Sequence, residues 1–292
     1  MAKIPMDQRD GWIWYNGEYV EWKEATCHIL NHGLHYGSSV FEGQRAYNGK
    51  IFKLEEHTER LRFSANELGF ALPYSNEEIN APAKELLVKN NLNNAYFRPV
   101  AWRGSDTLSV SAPDSKIHVA IAAWEWPSYF SEEARQKGLR LTWSKWKRPS
   151  PESAPVHAKA AGLYMICTHA KHAAEDAGFH DALMLDYRGY IAECTGANIF
   201  FINQLGEIHT PMADCYLNGI TRRTVIQLAK EKGYSVTERH IMPDELKDFT
   251  EIFVTGSAAE VTPIGEIDGI IYTPAETTKD LSDAYMALVG AK

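Results

Sequence analysis

The sequence predicts a mixed α/β protein that is folded into two domains. Helical spacing and strand-like alternation of apolar residues both recur along the chain. The length of 292 residues, with 45% hydrophobic content, lies where a single core usually divides into two. A polar stretch over 127–138 has no strand pattern. We therefore predict a small N-terminal α/β domain over 1–126, a linker over 127–138 and a larger C-terminal α/β domain over 139–292.

The N-terminal domain opens with a predicted hairpin over 12–22, in which Asn16-Gly17 forms the turn. A strand-like segment with three glycines follows over 32–47, which suggests a bend or the close approach of a ligand. Pro99 predicts an edge strand or a bulge, because proline cannot donate to a ladder. The other predicted elements are helices over 56–68 and 76–90 and strands over 95–102 and 117–126.

The C-terminal domain shows the same mixture of periodicities. Small and apolar residues at helical spacing follow Lys159 as far as Gly178. The other predicted elements are a strand over 139–146, a hairpin over 181–193, a helix that opens at 217–223 and ends at Gly233, and a strand over 251–254 that runs into a small-residue turn over 255–259.

Composition argues against several kinds of partner. Thirty basic and thirty-eight acidic residues give a net charge of −8, without a basic run, so nucleic acid and anionic membranes are not expected partners. The N-terminus has no signal-peptide pattern and no apolar run reaches membrane-spanning length, so we expect a cytoplasmic protein. The cysteines lack metal-ligand spacing and are predicted to be reduced thiols. They are Cys27, Cys167, Cys194 and Cys215.

Lys159 is the candidate catalytic residue. It is flanked by alanines and lies just before a predicted helix. An apolar setting disfavours the ammonium form, which lowers the pKa and frees the amine as a nucleophile toward an aldehyde or ketone. A single lysine in such a place more often extends its charge to the surface, so the prediction depends on its companions.

Three further side chains can serve a small charged ligand. Alternation along the strand over 95–102 places Tyr96 and Arg98 on one face, where a phenol and a guanidinium can bind a carboxylate. The same pair is equally typical of a sheet rim. Glu193 shares a strand face with Ile191, so it points toward apolar surroundings and needs a partner.

Two segments and one arginine are candidates for binding phosphate. The helix that opens at Gly219 offers free N–H groups and its positive dipole end. The turn over 255–259 offers amides and hydroxyls, and Arg60 lies in the first predicted helix. Together with Lys159 and Glu193, these groups match what a pyridoxal phosphate enzyme requires.

The chain resembles the class IV (fold type IV) pyridoxal phosphate aminotransferases, and among them the branched-chain amino-acid aminotransferases. This resemblance implies a two-domain fold with the cofactor between the domains. It also implies transamination of Leu, Ile and Val with 2-oxoglutarate or glutamate, and a homodimer or larger oligomer in which a second subunit completes the active site. The matching segments are Leu34 to Gly43, Ala95 to Pro99, Ala158 to Tyr164, Glu193 to Phe200, Gly219 to Arg222 and Gly256 to Glu260.

The resemblance also implies roles toward the cofactor. Lys159 would form the internal aldimine and move the proton between the substrate Cα and the cofactor C4′. Glu193 would pair with the pyridine nitrogen and Tyr164 with the phenolic oxygen. Ser257, which stands where the family commonly has threonine, would help hold the phosphate. The predicted cofactor set, with no metal, is Arg60, Lys159, Tyr164, Glu193, Gly196, Leu217, Gly219, Ile220, Thr221, Gly256 and Ser257.

The implied substrate residues recognise two kinds of side chain. Tyr96, with the amides of Ser257 and Ala258, would take the α-carboxylate, and Arg98 the distal carboxylate of glutamate. Aromatic residues would wall the same pocket for Leu, Ile and Val. The predicted substrate set is Tyr36, Phe41, Tyr96, Arg98, Trp126, Tyr129, Ala258 and Ala259.

One loop departs from the family pattern. Ser109-Val110-Ser111-Ala112 stands where Gly-Val-Asn-Pro is usual, in a loop that caps the neighbouring subunit's pocket, and nearby Arg103 has no predicted role. Three alternatives share the fold: a D-amino-acid transaminase, an (R)-amine transaminase and an aminodeoxychorismate lyase. The strand of Arg98 lacks the histidine expected of a D-amino-acid enzyme.

Overall fold

The computed structural model describes residues 4–126 and 132–291. The chain forms two compact units, one of Met1–Pro127 with Ala158–Gly162 and one of Ser128–His157 with Leu163–Lys292. The segment around Lys159, predicted within the C-terminal domain, therefore packs with the first unit. Residues 127–131 of the predicted linker lie outside the described residues, and a helix occupies Glu132–Lys137. The linker role of 127–138 stays a prediction.

The first unit is built on one antiparallel sheet, whose strands differ in length, together with helices. Its helices are α1 (His32–Tyr36), α2 (Leu54–Glu67) and α3 (Asn76–Lys89). Its strands are β1 (Trp12–Tyr15), β2 (Glu18–Glu21), β3 (Ser39–Phe41), β4 (Gln44–Tyr47), β5 (Lys50–Ile51), β6 (Ala95–Arg103) and β7 (Ile117–Glu125). Among the described residues the strand order is β2-β1-β7-β6-β4-β5, and β3 pairs with β6.

The predicted strand over 32–47 is wrong at its beginning. His32–Tyr36 forms the short helix α1, and Gly37 ends it in the left-handed conformation with φ of 68°. Only glycine adopts this conformation without a steric cost from Cβ, so the residue that suggested a bend serves as a helix C-cap. Strands β3 and β4 occupy the rest of the segment.

Pro99 lies in β6, a central strand, so of the two predicted alternatives, an edge strand or a bulge, the edge strand is wrong. On one side β6 pairs with β7 along its whole length. On the other side it pairs with β3 and then β4, and Pro99 stands opposite the break between them, where its carbonyl accepts a bond from Glu42 N at 2.8 Å. The missing N–H therefore falls at a gap in the ladder.

The core of the first unit lies between its helices and the sheet. Leu61 of α2, Leu86 of α3, and Phe97 and Ile121 of the two long strands are fully buried in one cluster. Helices α2 and α3 are amphipathic because their apolar residues recur three and four positions apart. This packing fixes α2 against the sheet and so orients the polar residues of that helix.

The second unit combines a larger sheet with four helices in its described part. The helices are α4 (Glu132–Lys137), α5 (Tyr164–Asp176), α6 (Ile220–Glu231) and α7 (Glu276–Leu288). The strands are β8 (Leu139–Trp143), β9 (Asp181–Leu185), β10 (Ile191–Cys194), β11 (Asn198–Asn203), β12 (Ile208–Pro211), β13 (Val236–Arg239), β14 (Phe249–Gly256), β15 (Glu260–Ile267) and β16 (Ile270–Ile271). Their order is β10-β9-β8-β15-β14-β11-β12-β13, and β16 pairs with β15.

Two crossover helices shape the second unit. Helix α5 connects the parallel pair β8 and β9, and α6 connects the parallel pair β12 and β13. Parallel neighbours need such long connections because the chain must return to the starting edge of the sheet. Strand β8 also pairs in parallel with β15, and the other strand pairs of the described part of this unit are antiparallel.

Both units mix helices with strands, which confirms the predicted α/β class. Leu141, Ile199, Phe201 and Ile264 belong to one buried cluster of the second unit. None of the helices in the described residues combines the length and the apolar character needed to cross a bilayer.

Candidate active site

Backbone contacts in the first unit hold the Lys159 segment. Val40 of β3 and Ala160 form an isolated antiparallel bridge. Phe41 N donates to the carbonyl of Lys159 at 3.1 Å, and Lys159 N donates to Ser64 Oγ of α2 at 2.9 Å. The catalytic candidate is therefore fixed at both its N–H and its carbonyl.

The Lys159 side chain is partly buried and faces an aromatic ring. Its Nζ lies 4.9 Å from the centroid of the Phe41 ring. Burial lowers the pKa of the ammonium to about 8, and the positive charges of Arg60 and Arg98 act in the same direction. Glu42 and Tyr96 oppose this shift. A lysine with this pKa holds a useful fraction of free amine near neutral pH.

Tyr96 and Arg98 share one face of β6, as the alternation predicts. One terminal guanidinium nitrogen of Arg98 donates to the Tyr96 hydroxyl at 3.1 Å. The Arg98 guanidinium carbon lies 4.7 Å from the Phe41 ring centroid, so the ring that faces Lys159 also contacts this cation. Phenol, guanidinium, ring and amine thus form one cluster suited to an anionic ligand with an apolar part.

Gly43 explains one of the glycines between β3 and β4. A Cβ on this residue would lie 2.2 Å from the Tyr96 hydroxyl oxygen. The backbone at Gly43 is therefore approached by a side chain of the site itself. The sequence suggested a bend or the approach of a ligand, whereas the group that lies against Gly43 is the Tyr96 side chain.

Arg60 is engaged by a carboxylate that the sequence analysis did not identify. Arg60 donates from Nε to Glu42 Oε1 at 2.7 Å and from a terminal nitrogen to Glu42 Oε2 at 2.8 Å. His57 Nδ1 lies 2.7 Å from the same Oε2. The sequence signal that could have indicated a buried partner was His57 and Arg60, which lie three positions apart in α2 among its buried apolar residues. The structure does not test the predicted phosphate contact of Arg60.

The structure also locates other predicted substrate residues of the first unit. Trp126 lies beside Tyr96, with ring centroids 5.0 Å apart, and Tyr36 donates to the Leu108 carbonyl at 3.2 Å. Tyr129 lies outside the described residues.

The loop over 109–112 is fixed by side chains on both sides. His32 Nε2 lies 3.1 Å from the Ser109 carbonyl, and Arg103 donates to the Ala112 carbonyl at 3.2 Å. Arg103 also donates to the Gly69 carbonyl at 2.8 Å. This residue, to which the sequence assigned no role, therefore ties the loop to the end of α2.

Glu193 of the second unit has the partners that its burial requires. Asn198 Nδ2 donates to Glu193 Oε2 at 3.0 Å, and Arg148 Nε lies 3.4 Å from Glu193 Oε1. All three residues are buried. A neighbouring cation and a donor stabilise the ionised carboxylate. The sequence did not identify these partners, because Arg148 is far from Glu193 along the chain and nothing in the local pattern indicates that Asn198 faces it.

Asn198 also contacts the loop that precedes α6. Its Nδ2 donates to the Leu217 carbonyl at 3.1 Å, and Gly219 N donates to its Oδ1 at 3.2 Å. A Cβ at Gly219 would lie 2.2 Å from this oxygen. Only glycine therefore fits at the N-cap of α6, where Ile220 and Thr221 follow with free first-turn amides.

The small-residue turn at 257–259 connects β14 and β15. Because Asn198 pairs with Thr255, the turn at 257–259 lies next to the turn that precedes β11. A Cβ on Gly256 would lie 3.4 Å from the Gly196 carbonyl. The Ala259 carbonyl is occupied by Thr262 Oγ1 at 2.6 Å. Tyr164, another predicted cofactor residue, is the partly buried first residue of α5.

One acidic group in the second unit has metal-ligand geometry but is already neutralised. Ligand atoms of Asp186, Asp214 and Cys215 lie within 4.8 Å of one another. Arg188 donates to both carboxylates, at 2.7 and 2.8 Å. Burial raises the pKa of the Cys215 thiol to about 12, so this group is an ion-pair network rather than a donor set for a cation.

The chemistry of both units fits pyridoxal phosphate. The first unit offers an amine with a lowered pKa and an arginine, and the second offers a buried carboxylate beside a cation. The second unit also offers a helix N-terminus whose glycine leaves no room for a side chain. Enzymes that use this cofactor bind and tune it with groups of these kinds.

Comparison with known proteins defines the class. Residues 39–267 match the family model described as amino-transferase class IV, and the chain belongs to this family.

Its relatives place it more narrowly. The branched-chain-amino-acid aminotransferase of Pseudomonas aeruginosa is 44% identical over 296 residues, which cover 99% of this chain and 96% of that protein. The crystal structure of the Escherichia coli branched-chain amino acid aminotransferase superposes with a TM-score of 0.93 at 36% identity, covering 96% of this chain and 95% of that one. The T.th. enzyme of the same name, solved with pyridoxamine 5'-phosphate, superposes with a TM-score of 0.92 at 40% identity, covering 97% of this chain and 95% of that one. The chain is thus a member of the branched-chain-amino-acid aminotransferases, and its cofactor is pyridoxal phosphate.

Proposed function

We propose that this enzyme transfers the amino group of L-leucine, L-isoleucine or L-valine to 2-oxoglutarate, and returns it from glutamate. The observation that carries the proposal is the Lys159 amine. The backbone of Lys159 is held by hydrogen bonds with Ser64 Oγ and Phe41 N, and its Nζ lies 4.9 Å from the centroid of the Phe41 ring and has a pKa lowered to about 8. The names of the relatives support the choice of substrates.

The proposed chemistry assigns Lys159 to proton transfer. Bound pyridoxal phosphate supplies an aldehyde for the amino group and an electron sink for the Cα carbanion. Lys159 removes the proton from the substrate Cα as a general base and returns a proton as a general acid. The lowered pKa suits both directions, because a pKa of about 8 lies nearer to neutral pH than that of an ordinary lysine, so both the amine and the ammonium forms are accessible.

We further propose the cofactor contacts implied by the family resemblance. Glu193, held by Arg148 and Asn198, pairs with the pyridine nitrogen and keeps it protonated. The first-turn amides of α6 and the turn at 257–259 hold phosphate oxygens. The proposed set is Arg60, Lys159, Tyr164, Glu193, Gly196, Leu217, Gly219, Ile220, Thr221, Gly256 and Ser257.

Substrate recognition follows from the cluster around Phe41. Tyr96 binds the α-carboxylate together with the amides of Ser257 and Ala258. Arg98 binds the distal carboxylate of glutamate, while the face of Phe41 accepts an aliphatic side chain. We propose Tyr36, Trp126, Tyr129 and Ala259 as further pocket residues.

We propose a cytoplasmic homodimer or larger homo-oligomer. Apolar side chains of α1 and the nearby loops are strongly exposed in the single chain, with Leu34 at 70% and Val110 at 80%. Such a patch is typical of a protein interface. The cysteines are unpaired thiols, as is usual in a reducing compartment.

The test of the proposed function is the visible spectrum of the purified enzyme mixed with matched enantiomers. L-leucine is expected to bleach the absorption of the bound cofactor, and D-leucine is expected to leave it unchanged. Bleaching by D-alanine or (R)-1-phenylethylamine alone would contradict the proposal. Repeated turnover without an amino acceptor, beyond the one equivalent of keto acid that the half-reaction releases per cofactor, would indicate a lyase instead.

The lysine assignment has its own control. Lys159→Ala is expected to lose transamination by at least about a thousandfold, because the amine acts directly on the reacting proton. Lys84→Ala alters an exposed lysine of α3 and is expected to retain full activity. Substantial turnover by Lys159→Ala would refute the assignment.

A further inference from the structure

Glu42 is a buried carboxylate to which the proposed mechanism gives no task. Its side chain is 0% exposed and accepts two bonds from Arg60 and one from His57. Burial alone would disfavour its charge, yet Arg60 and His57 hold the pKa of the Glu42 carboxyl well below its ordinary range. Burial lowers the pKa of His57, so this ring is neutral and donates its Nδ1–H.

The same helix face that holds Glu42 also holds Lys159. His57, Arg60 and Ser64 lie three and four positions apart on α2, so they project from one side of the helix. Two of them bind Glu42, and Ser64 Oγ accepts from Lys159 N at 2.9 Å. Phe41, the residue before Glu42, donates its N–H to the Lys159 carbonyl. Helix α2 and the segment of Phe41 and Glu42 therefore position both the Glu42 carboxylate and Lys159.

We infer that Glu42 is a positioning residue for Lys159: with the Arg60 guanidinium that it holds, it determines how readily the Lys159 nitrogen loses its proton. This inference rests on the proposed function, because it concerns the lysine of that reaction. Glu42 need not contact the substrate. It acts through its negative charge and through the Arg60 guanidinium that it binds, both of which influence the charge of Lys159.

The charges that face Lys159 within the first unit act in opposite directions. From α2, Arg60 disfavours the ammonium form, and His57 is neutral. From β6, Arg98 also disfavours it, whereas Tyr96 favours it. Glu42 favours it. Removing Glu42 should therefore lower the pKa of Lys159, and removing Arg60 should raise it. A nonspecific loss of packing around the site would not produce shifts of opposite sign.

The experiment is a pH titration of the visible absorption of the holoenzyme, which follows the Lys159 nitrogen bound to the cofactor. In Glu42→Gln the midpoint is expected to fall by about one pH unit or more, since the negative charge that favours the protonated Lys159 nitrogen is lost. In Arg60→Gln the midpoint is expected to rise by a similar amount. Unchanged midpoints, or shifts in the same direction, would overturn the inference.

Two control variants separate charge from packing. His57→Gln removes a bond to Glu42 without changing the charge, and its midpoint is expected to stay within about 0.3 pH unit of wild type. Glu42→Asp keeps the charge and is expected to restore most of the wild-type midpoint. If Glu42→Gln does not fold, Glu42→Gln is made in the Arg60→Gln background, where its midpoint is expected to lie below that of Arg60→Gln alone, and equal midpoints overturn the inference. A wild-type protein without the absorption band would instead refute the proposed function.

Discussion

At the residue scale, the site is a balance of charges around one lysine. Phe41 presents one ring to two cations, Lys159 and Arg98. The ring attracts each cation, yet burial still lowers the pKa of the lysine to about 8. The reactivity of Lys159 therefore depends on several neighbours, and single substitutions there should change its titration.

The pKa of Lys159 predicts how cofactor uptake depends on pH. Only the free amine attacks the cofactor aldehyde, so uptake by the cofactor-free protein should rise about tenfold per pH unit below pH 8 and level off above it. Stopped-flow absorbance would measure this rate at a fixed cofactor concentration. A rate that still rises tenfold between pH 9 and 10 would show an ordinary lysine.

Gly43 and Tyr96 give a steric prediction. Gly43→Ala places a methyl group 2.2 Å from the Tyr96 hydroxyl, which must move away from its present position. We expect KM for L-leucine to rise about tenfold, because Tyr96 is the proposed carboxylate ligand. Steady-state kinetics would measure it.

The control for this prediction is Tyr96→Phe, which removes the closest atom of the clash. In the Tyr96→Phe background, Gly43→Ala should have a much smaller effect than in wild type. Additive effects of the two changes would show that the methyl group acts elsewhere.

At the element scale, the loop before α6 depends on a buried arginine. Arg222 is 0% exposed and donates to the Pro211 carbonyl at 2.8 Å and to Asn218 Oδ1 at 3.0 Å. It also pairs with Glu238 at 2.8 Å. Tyr216 donates to the same Pro211 carbonyl at 2.6 Å. The start of α6 is therefore set by contacts behind the loop rather than by a side-chain cap.

Removing this arginine should cost stability. Arg222→Ala removes a fully buried side chain and its bonds to the Pro211 carbonyl and Asn218 Oδ1, whereas Glu238 is 44% exposed and remains solvated. We expect the free energy of unfolding to fall by about 2 kcal/mol. Urea denaturation of the holoenzyme would measure the loss. The neighbouring Arg223 is exposed, and Arg223→Ala is expected to change stability by less than about 0.5 kcal/mol. Equal losses in both variants would contradict this role.

At the scale of the whole molecule, the exposed apolar surface of the first unit is the main unexplained feature of a single chain. Ile29, Leu34 and Val110 are each at least 70% exposed. His32 and Arg103 fix the loop over 109–112 on both sides, so the surface is presented in a defined shape. An ordered apolar surface is expected to bind a partner subunit.

This surface gives a prediction about assembly. Leu34→Glu combined with Val110→Glu is expected to dissociate the homo-oligomer to monomers at micromolar concentration, because buried charges without partners destabilise an interface. Sedimentation velocity would report the change. Val88 is 82% exposed on α3, and Val88→Glu serves as a control that should leave the assembly unchanged. A wild-type monomer would refute the proposed oligomer.

The local sequence determined most elements and the main chemical groups. Alternation along β6 was sufficient to place Tyr96 and Arg98 on one face, whereas the apolar flanks of Lys159 predicted a lowered pKa only together with the other candidate cofactor groups. Glycines marked the N-cap of α6 and a close approach at Gly43, since a Cβ is excluded at both. Alternation depends on residues within one strand and is visible in the pattern, whereas the groups that exclude a Cβ, Tyr96 at Gly43 and Asn198 at Gly219, come from other elements.

Only the tertiary structure decided which charges are paired. Glu42 and Arg60 are 18 positions apart, and the partners Arg148 and Asn198 of Glu193 come from separate elements. It also decided that 32–36 is helical and that the Lys159 segment packs with the first unit. The physical reason is that periodicity reports which face of an element is buried, whereas pairing depends on which elements meet there. A buried carboxylate requires a partner, but the sequence alone does not say which one.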